Sequence, residues 1–238
     1  LTGTFFYFSR EKYFRVAMII LLLIAAFNTA LTYQRNKIWK NDYTLWSDCL
    51  TKSPDKARVH EERGVTCTEL GYYQQAIEDF NKAIRLNRNY AKAYYDRGTV
   101  YGMLGQYQKT IDDCSEAIRL KSDYTDAYYN RGNAYVKLSQ YQRAIEDYSD
   151  VVRLAPDYAE VYINRGNVYA KIAQDQRAIE DYNKAIDLKP DYIRAYSVRA
   201  IFYFNQGNKE SGCHDAQKAC EMGNCKTMAE AQVKGYCR

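Results

Sequence analysis

The sequence predicts an all-α solenoid of about four and a half stacked helix pairs behind a single membrane-spanning helix. Three observations predict it: a strict 34-residue period, helical spacing of apolar residues within each period, and one apolar stretch near the start. Gly64, Gly98, Gly132 and Gly166 recur at that period, as do Arg63, Arg97, Arg131, Arg165 and Arg199. Asp79, Asp113, Asp147, Asp181 and Asp215 keep the same step, and Tyr90, Tyr124, Tyr158 and Tyr192 close each unit. The three prolines, Pro54, Pro156 and Pro190, share one register. Such self-similarity marks small helical units that bury an apolar face only by stacking on their neighbours.

Taken in order, residues 14–33 form the transmembrane helix. Phe14 to Leu31 is apolar apart from Arg15, Asn28 and Thr29, about 18 residues and near the lower limit for crossing a bilayer. Arg10, Lys12 and Arg15 flank one end; Tyr33, Arg35, Lys37, Trp39 and Lys40 flank the other. Aromatic and basic belts of this kind suit a membrane interface. A cleaved signal peptide or a buried helix are the blander readings, and no small-residue cleavage site follows the stretch. Basic residues balance across it, so charge does not set its orientation. Residues 1–13 read as the tail of a preceding membrane segment or as a loop; in the first case Ser9–Arg15 is a short basic turn and the array faces outwards, on the periplasmic or lumenal side. The first residue is Leu and not Met, so the chain is expected to be a fragment or a processed product.

Residues 34–56 are a half-repeat junction. Leu45-Trp46-Ser47-Asp48-Cys49-Leu50-Thr51-Lys52-Ser53-Pro54 aligns, three periods earlier, with Asp147-Tyr148-Ser149-Asp150-Val151-Val152-Arg153-Leu154-Ala155-Pro156. Complete units follow at 57–90, 91–124, 125–158 and 159–192. A degenerate unit at 193–225 has Ala200 in place of the repeat glycine, and 226–238 forms a C-terminal cap. Inside a unit, Tyr128, Tyr135 and Leu138 and then Ala144, Ile145, Tyr148 and Val151 keep helical spacing. Gly71 and Gly105 stand between the two runs, where a helix must stop and reverse. The repeat glycine is a poor helix residue and implies that the second helix crosses closely there.

A 34-residue unit with Tyr94, Tyr128, Tyr162 and Tyr196 at its fourth position resembles the tetratricopeptide repeat (TPR) family. So do Gly98 with Tyr101, Gly132 with Tyr135, and Ala144, Tyr148, Val151 and Pro156. The resemblance implies a right-handed superhelix whose concave side holds an extended peptide or a partner protein. Carried over by position, it places Lys92, Tyr95, Thr99, Tyr129, Asn130, Asn133, Lys137, Asn164, Asn167 and Lys171 on that side. Asn130 and Asn164 then form a short ladder, since an amide both donates to and accepts from a peptide group. Glu62, Asp96 and Val198 depart from the family's asparagine there. The repeated Arg stands where the family has Leu, and Arg–Asp pairs between the two helices of a unit are expected to set register. The membrane helix followed by Arg35, Trp39, Leu45-Trp46 and Lys52-Ser53-Pro54 resembles the junction in O-mannosyltransferase-like multi-pass membrane proteins.

The composition narrows the function. Residues 57–192 carry 19 basic against 21 acidic side chains with the signs interspersed, unlike the basic stripe that nucleic acid requires. Two histidines in 238 residues leave little for acid–base triads or His metal sites. No phosphate-binding loop or nucleophile elbow is present, so neither catalytic residues nor a cofactor are expected. Cys49, Cys67 and Cys114 stand at core positions. Of the four cysteines near the end, Cys213 and Cys220 are about 10 Å apart along one helix, too far to bond each other. Their spacing suits a metal poorly. Cys225–Cys237 or Cys220–Cys237 disulfides remain open beside free thiols. The expected function is a membrane-tethered scaffold for protein or peptide binding; the alternative is the acceptor-recognition end of a membrane glycosyltransferase.

Overall fold

The computed structural model describes residues 2–237, with side chains from Tyr13 onwards except at 35 and 38. Among the described residues there are 13 helices and no strand. The chain divides into two compact units, residues 1–86 and 87–238.

The first unit begins with α1 (Thr2–Ile38), one unbroken helix through the turn expected at Ser9–Arg15. That segment contains neither Gly nor Pro, and nothing in it stops a helix. The expectation for the side chains of residues 1–12 lies outside the described residues. Within α1, Tyr13–Gln34 is long and apolar enough to cross a bilayer, and it is exposed throughout. Asn41 caps α2 (Asp42–Lys52) by accepting from the Thr44 backbone N–H at 2.9 Å. α2 packs on α3 (Ala57–Glu69), which pairs with α4 (Tyr73–Leu86). His60 bridges these elements: one ring nitrogen meets the Pro54 carbonyl at 2.8 Å, the other meets Asp79 at 3.2 Å.

The second unit holds α5 (Ala91–Met103) with α6 (Tyr107–Leu120), α7 (Thr125–Lys137) with α8 (Tyr141–Leu154), and α9 (Ala159–Lys171) with α10 (Asp175–Leu188). α11 (Ile193–Asn205) with α12 (Lys209–Glu221) and a short α13 (Lys226–Val233) complete it. Each pair packs on itself, and α6, α8 and α10 pack on the first helix of the following pair. The core runs along these seams through Tyr148, Val151, Val161, Ile163, Val168 and Tyr182. The repeat glycines make the approach possible: a Cβ on Gly132 would lie 2.8 Å from the Tyr148 ring, and one on Gly166 would lie 2.8 Å from Tyr182. The turns between paired helices need one left-handed residue. Gly105 (φ +72°) and Gly207 (φ +78°) supply it freely, whereas Ser139 (φ 58°) and Ala173 (φ 56°) adopt it against steric cost.

An Arg–Asp pair locks every unit. Arg97, Arg131, Arg165 and Arg199 each donate from Nε and a terminal nitrogen to both oxygens of the aspartate 16 residues on, at 2.6–2.9 Å. Arg63 and Asp79 do the same in the first unit, at 2.8 Å.

The cysteines depart from expectation. Cys237 is bonded to Cys213, and Cys220 to Cys225, so neither expected pairing forms. Gly223 (φ +100°) reverses the chain after α12 and brings Cys225 back beside Cys220, with Cα atoms 3.9 Å apart. The chain then returns along α12 through α13, which carries Cys237 over Cys213 at 5.6 Å between Cα atoms. Cys67 and Cys114 are fully buried, and burial pushes the Cys114 thiol up to about 12. Among the described residues no group of side chains could hold a metal ion.

Candidate functional site

The first helices of the second unit's pairs each show residues at i, i+4, i+7 and i+11, which share one helix face. On α5 these are Lys92, Asp96, Thr99 and Met103; on α7, Asp126, Asn130, Asn133 and Lys137. On α9 they are Glu160, Asn164, Asn167 and Lys171; on α11, Arg194, Val198, Ile201 and Asn205. The two middle helices therefore carry the same acid–amide–amide–base stripe. Lys92, Lys137 and Lys171 are exposed, and the four asparagines and Thr99 are half-buried.

The asparagines differ in what their amides already do. Asn130 donates from Nδ2 to Thr99 Oγ1 at 3.0 Å, joining α7 to α5. Asn164 donates to the Tyr129 hydroxyl at 2.7 Å, joining α9 to α7, and its Oδ1 accepts from Arg194 at 3.1 Å. Arg194 also pairs with Glu160 at 2.7 Å. Asn133 and Asn167 instead accept at Oδ1 from the hydroxyls of Tyr148 (2.6 Å) and Tyr182 (2.9 Å). Those buried phenols fix each amide with its NH2 group turned away from them; on Asn133 that group also meets the Tyr129 phenol, which leaves one of its two N–H bonds to donate. The asparagines singled out as a ladder, Asn130 and Asn164, thus knit helices together, and Asn133 and Asn167 are the better-placed donors.

Tyr95 and Tyr129 pack in the seams, with ring centroids 4.9 Å from Tyr124 and 5.4 Å from Tyr158. Burial, with Asp126 nearby, pushes the Tyr95 phenol up to about 12; burial and Glu160 raise Tyr129 as well.

Two cavities open along the stripe. One, about 320 Å³, brings together the expected Thr99, Asn130, Asn133 and Lys137 against Met103 and Tyr107. The other, about 250 Å³, has the expected Asn167 facing Val198, Ile201 and Phe202. Lys92, Tyr95, Tyr129, Asn164 and Lys171 line neither of these two. Val198 was noted only as a departure from asparagine, and Met103 and Ile201 were passed over because the sequence reading sought polar residues at the groove positions. Their signal was the break in an otherwise repeated stripe.

Two family models match the chain: one described as a TPR repeat over residues 64–105 and 132–172, the other as the tetratricopeptide repeat over 91–124 and 159–192. Together they take in just over half of it. The chain belongs to the tetratricopeptide repeat family. Similar solved TPR structures include YrrB, described as a TPR protein with an unusual peptide-binding site. It is 21% identical with a TM-score of 0.67, and the match covers 79% of this chain and 97% of that one. A MamA structure is 26% identical with a TM-score of 0.64, covering 72% of this chain and 96% of the other. The MamA fragment from Desulfovibrio magneticus RS-1 is 24% identical with a TM-score of 0.67, covering 71% and 95%. No curated protein matches in sequence.

Proposed function

We propose that this chain is a membrane-tethered TPR scaffold that holds an extended segment of a partner protein along the face built by α5, α7, α9 and α11. The observation that carries the reading is the pair of amide donors on Asn133 and Asn167, fixed from beneath by Tyr148 and Tyr182. They present the same hydrogen-bond donor one repeat apart, which suits backbone carbonyls and ignores side-chain identity. The apolar span Tyr13–Gln34 supports the tether. The disulfides Cys213–Cys237 and Cys220–Cys225 favour an oxidising compartment, and so an array on the outer side of the membrane.

The test uses the full chain in lipid nanodiscs. A photo-crosslinker at the exposed Lys171 on the same stripe should capture the partner, and one at Lys109 on α6 should not. Asn133→Asp with Asn167→Asp then keeps the acceptors that Tyr148 and Tyr182 use while removing the donors. Two lost hydrogen bonds of about 1 kcal/mol each should weaken the captured partner roughly tenfold or more. Unchanged affinity would place the partner elsewhere.

A further inference from the structure

We infer that the groove reads two apolar side chains of one extended partner segment, at least about five or six residues apart, with an acidic side chain beside the first. This rests on the peptide-binding reading above and deepens it.

The repeated stripe changes at its two ends, mostly from one polar residue to another, but at three positions from polar to apolar. Met103 stands where Lys137 and Lys171 stand in the next two repeats, and it is 59% exposed. Val198 and Ile201 stand where Asn164 and Asn167 stand one repeat earlier, and Ile201 is 48% exposed. A single exposed apolar residue needs no explanation. Here each apolar change coincides with a cavity. Met103 and Tyr107 wall the one between α5 and α7, and Val198, Ile201 and Phe202 wall the one between α9 and α11. The polar residues at the same positions of neighbouring repeats show that the fold does not require the apolar ones.

Each cavity also contains one amide oriented by a buried phenol, Asn133 beside Asn130 in the first and Asn167 beside Asn205 in the second. An apolar wall beside one donor suits an extended residue that buries its side chain while its carbonyl accepts. The charges distinguish the two subsites. Lys137 lines the first cavity, and no charged side chain lines the second. An acidic neighbour therefore accompanies the first anchor only.

Spacing follows from the architecture. The cavities lie two repeats apart; α5 packs on α7 and α9 on α11, while α7 and α9 touch less, so two steps at the separation of packed helices, about 8–10 Å, give a span of at least roughly 16–20 Å. Extended chain advances about 3.3 Å per residue, so at least about five or six residues bridge that span.

The probe is a series of short synthetic peptides in a neutral polar background. They carry two leucines at varied spacing and an aspartate beside the first, the second or neither. Binding to the full chain in nanodiscs is read by fluorescence anisotropy, with empty nanodiscs subtracted. Affinity should peak at a spacing of at least about five or six and improve with aspartate beside one leucine only. Met103→Lys and Ile201→Asn each install the neighbouring repeat's residue, so the unfolding midpoint should hold. Each should weaken the best peptide about tenfold or more, and the one-leucine peptides less. A flat dependence on spacing, wild-type affinity in both variants, or no binding by any peptide would overturn the inference. If the cross-linked partner still depends on Asn133 and Asn167 in that case, the groove reading stands and only the two-anchor reading falls.

Discussion

Arg131 ties three helices together with one guanidinium. Two of its nitrogens hold Asp147 of α8 at 2.9 and 2.7 Å, and the third donates to Ser115 of α6 at 2.9 Å. The Tyr128 ring lies 5.5 Å from its central carbon. Burial disfavours the charge, but the hydrogen bonds and negative charge of Asp147 outweigh that and hold the guanidinium above the ordinary arginine value. Arg165 repeats the pattern with Asp181 and Ser149. The aspartate was legible in the sequence because both partners recur at a fixed offset. The serine was not, since it lies 16 residues upstream in the previous repeat, one small polar residue among many. Asp147 is only 3% exposed, so Arg131→Leu strands a carboxylate in the seam. Urea unfolding should show a loss of about 3–5 kcal/mol, with a much milder effect when Asp147→Leu accompanies it. Equal, small losses in the single and double variants would mean that the pair contributes nothing beyond an exposed ion pair.

At the scale of elements, the paired helices were readable because their apolar residues, glycines and tyrosines repeat together. The turns were only half readable. Gly105 announces its left-handed conformation, whereas Ser139 and Ala173 reach the same φ with nothing in their identity to show it. The return of α13 was missed for a related reason: only Gly223 marks the reversal that sets the disulfide pairing. The first helix shows the limit in the other direction. A basic cluster at Ser9–Arg15 suggested a loop, but charge alone does not interrupt a helix, and α1 continues through it. Its 22-residue apolar span is about 33 Å long as a helix, enough for a hydrocarbon core of about 30 Å. The expressed chain should therefore stay with membranes through an alkaline carbonate wash, and a version beginning at Asn36 should not sediment with them. Release of the intact chain by the wash would mean that this helix lies on a surface rather than across a bilayer.

Across the whole array, the same chemistry that packs the seams limits the pH at which they hold. Burial, helped by nearby carboxylates or phenols, pushes the Tyr95 phenol up to about 12 and raises Tyr124, Tyr129, Tyr148 and Tyr182 as well. In the unfolded chain these phenols ionise near 10. Between that value and their folded values the native state holds more protons than the unfolded one, so stability falls as pH rises. The stabilisation is complete below about pH 10 and drains away through pH 12, at the lower edge of the folded range set by Tyr95. Helix content followed by circular dichroism should collapse in that window, and phenolate absorbance from the seam tyrosines should appear in the same step. Tyr148→Phe with Tyr182→Phe isolates the cause. Losing the bonds to Asn133 and Asn167 should lower stability at neutral pH by about 1 kcal/mol per site. With two fewer phenols to deprotonate, the variant should then lose less stability per unit of pH above 10. If its stability falls as steeply as that of the parent chain, these seams do not govern alkaline unfolding.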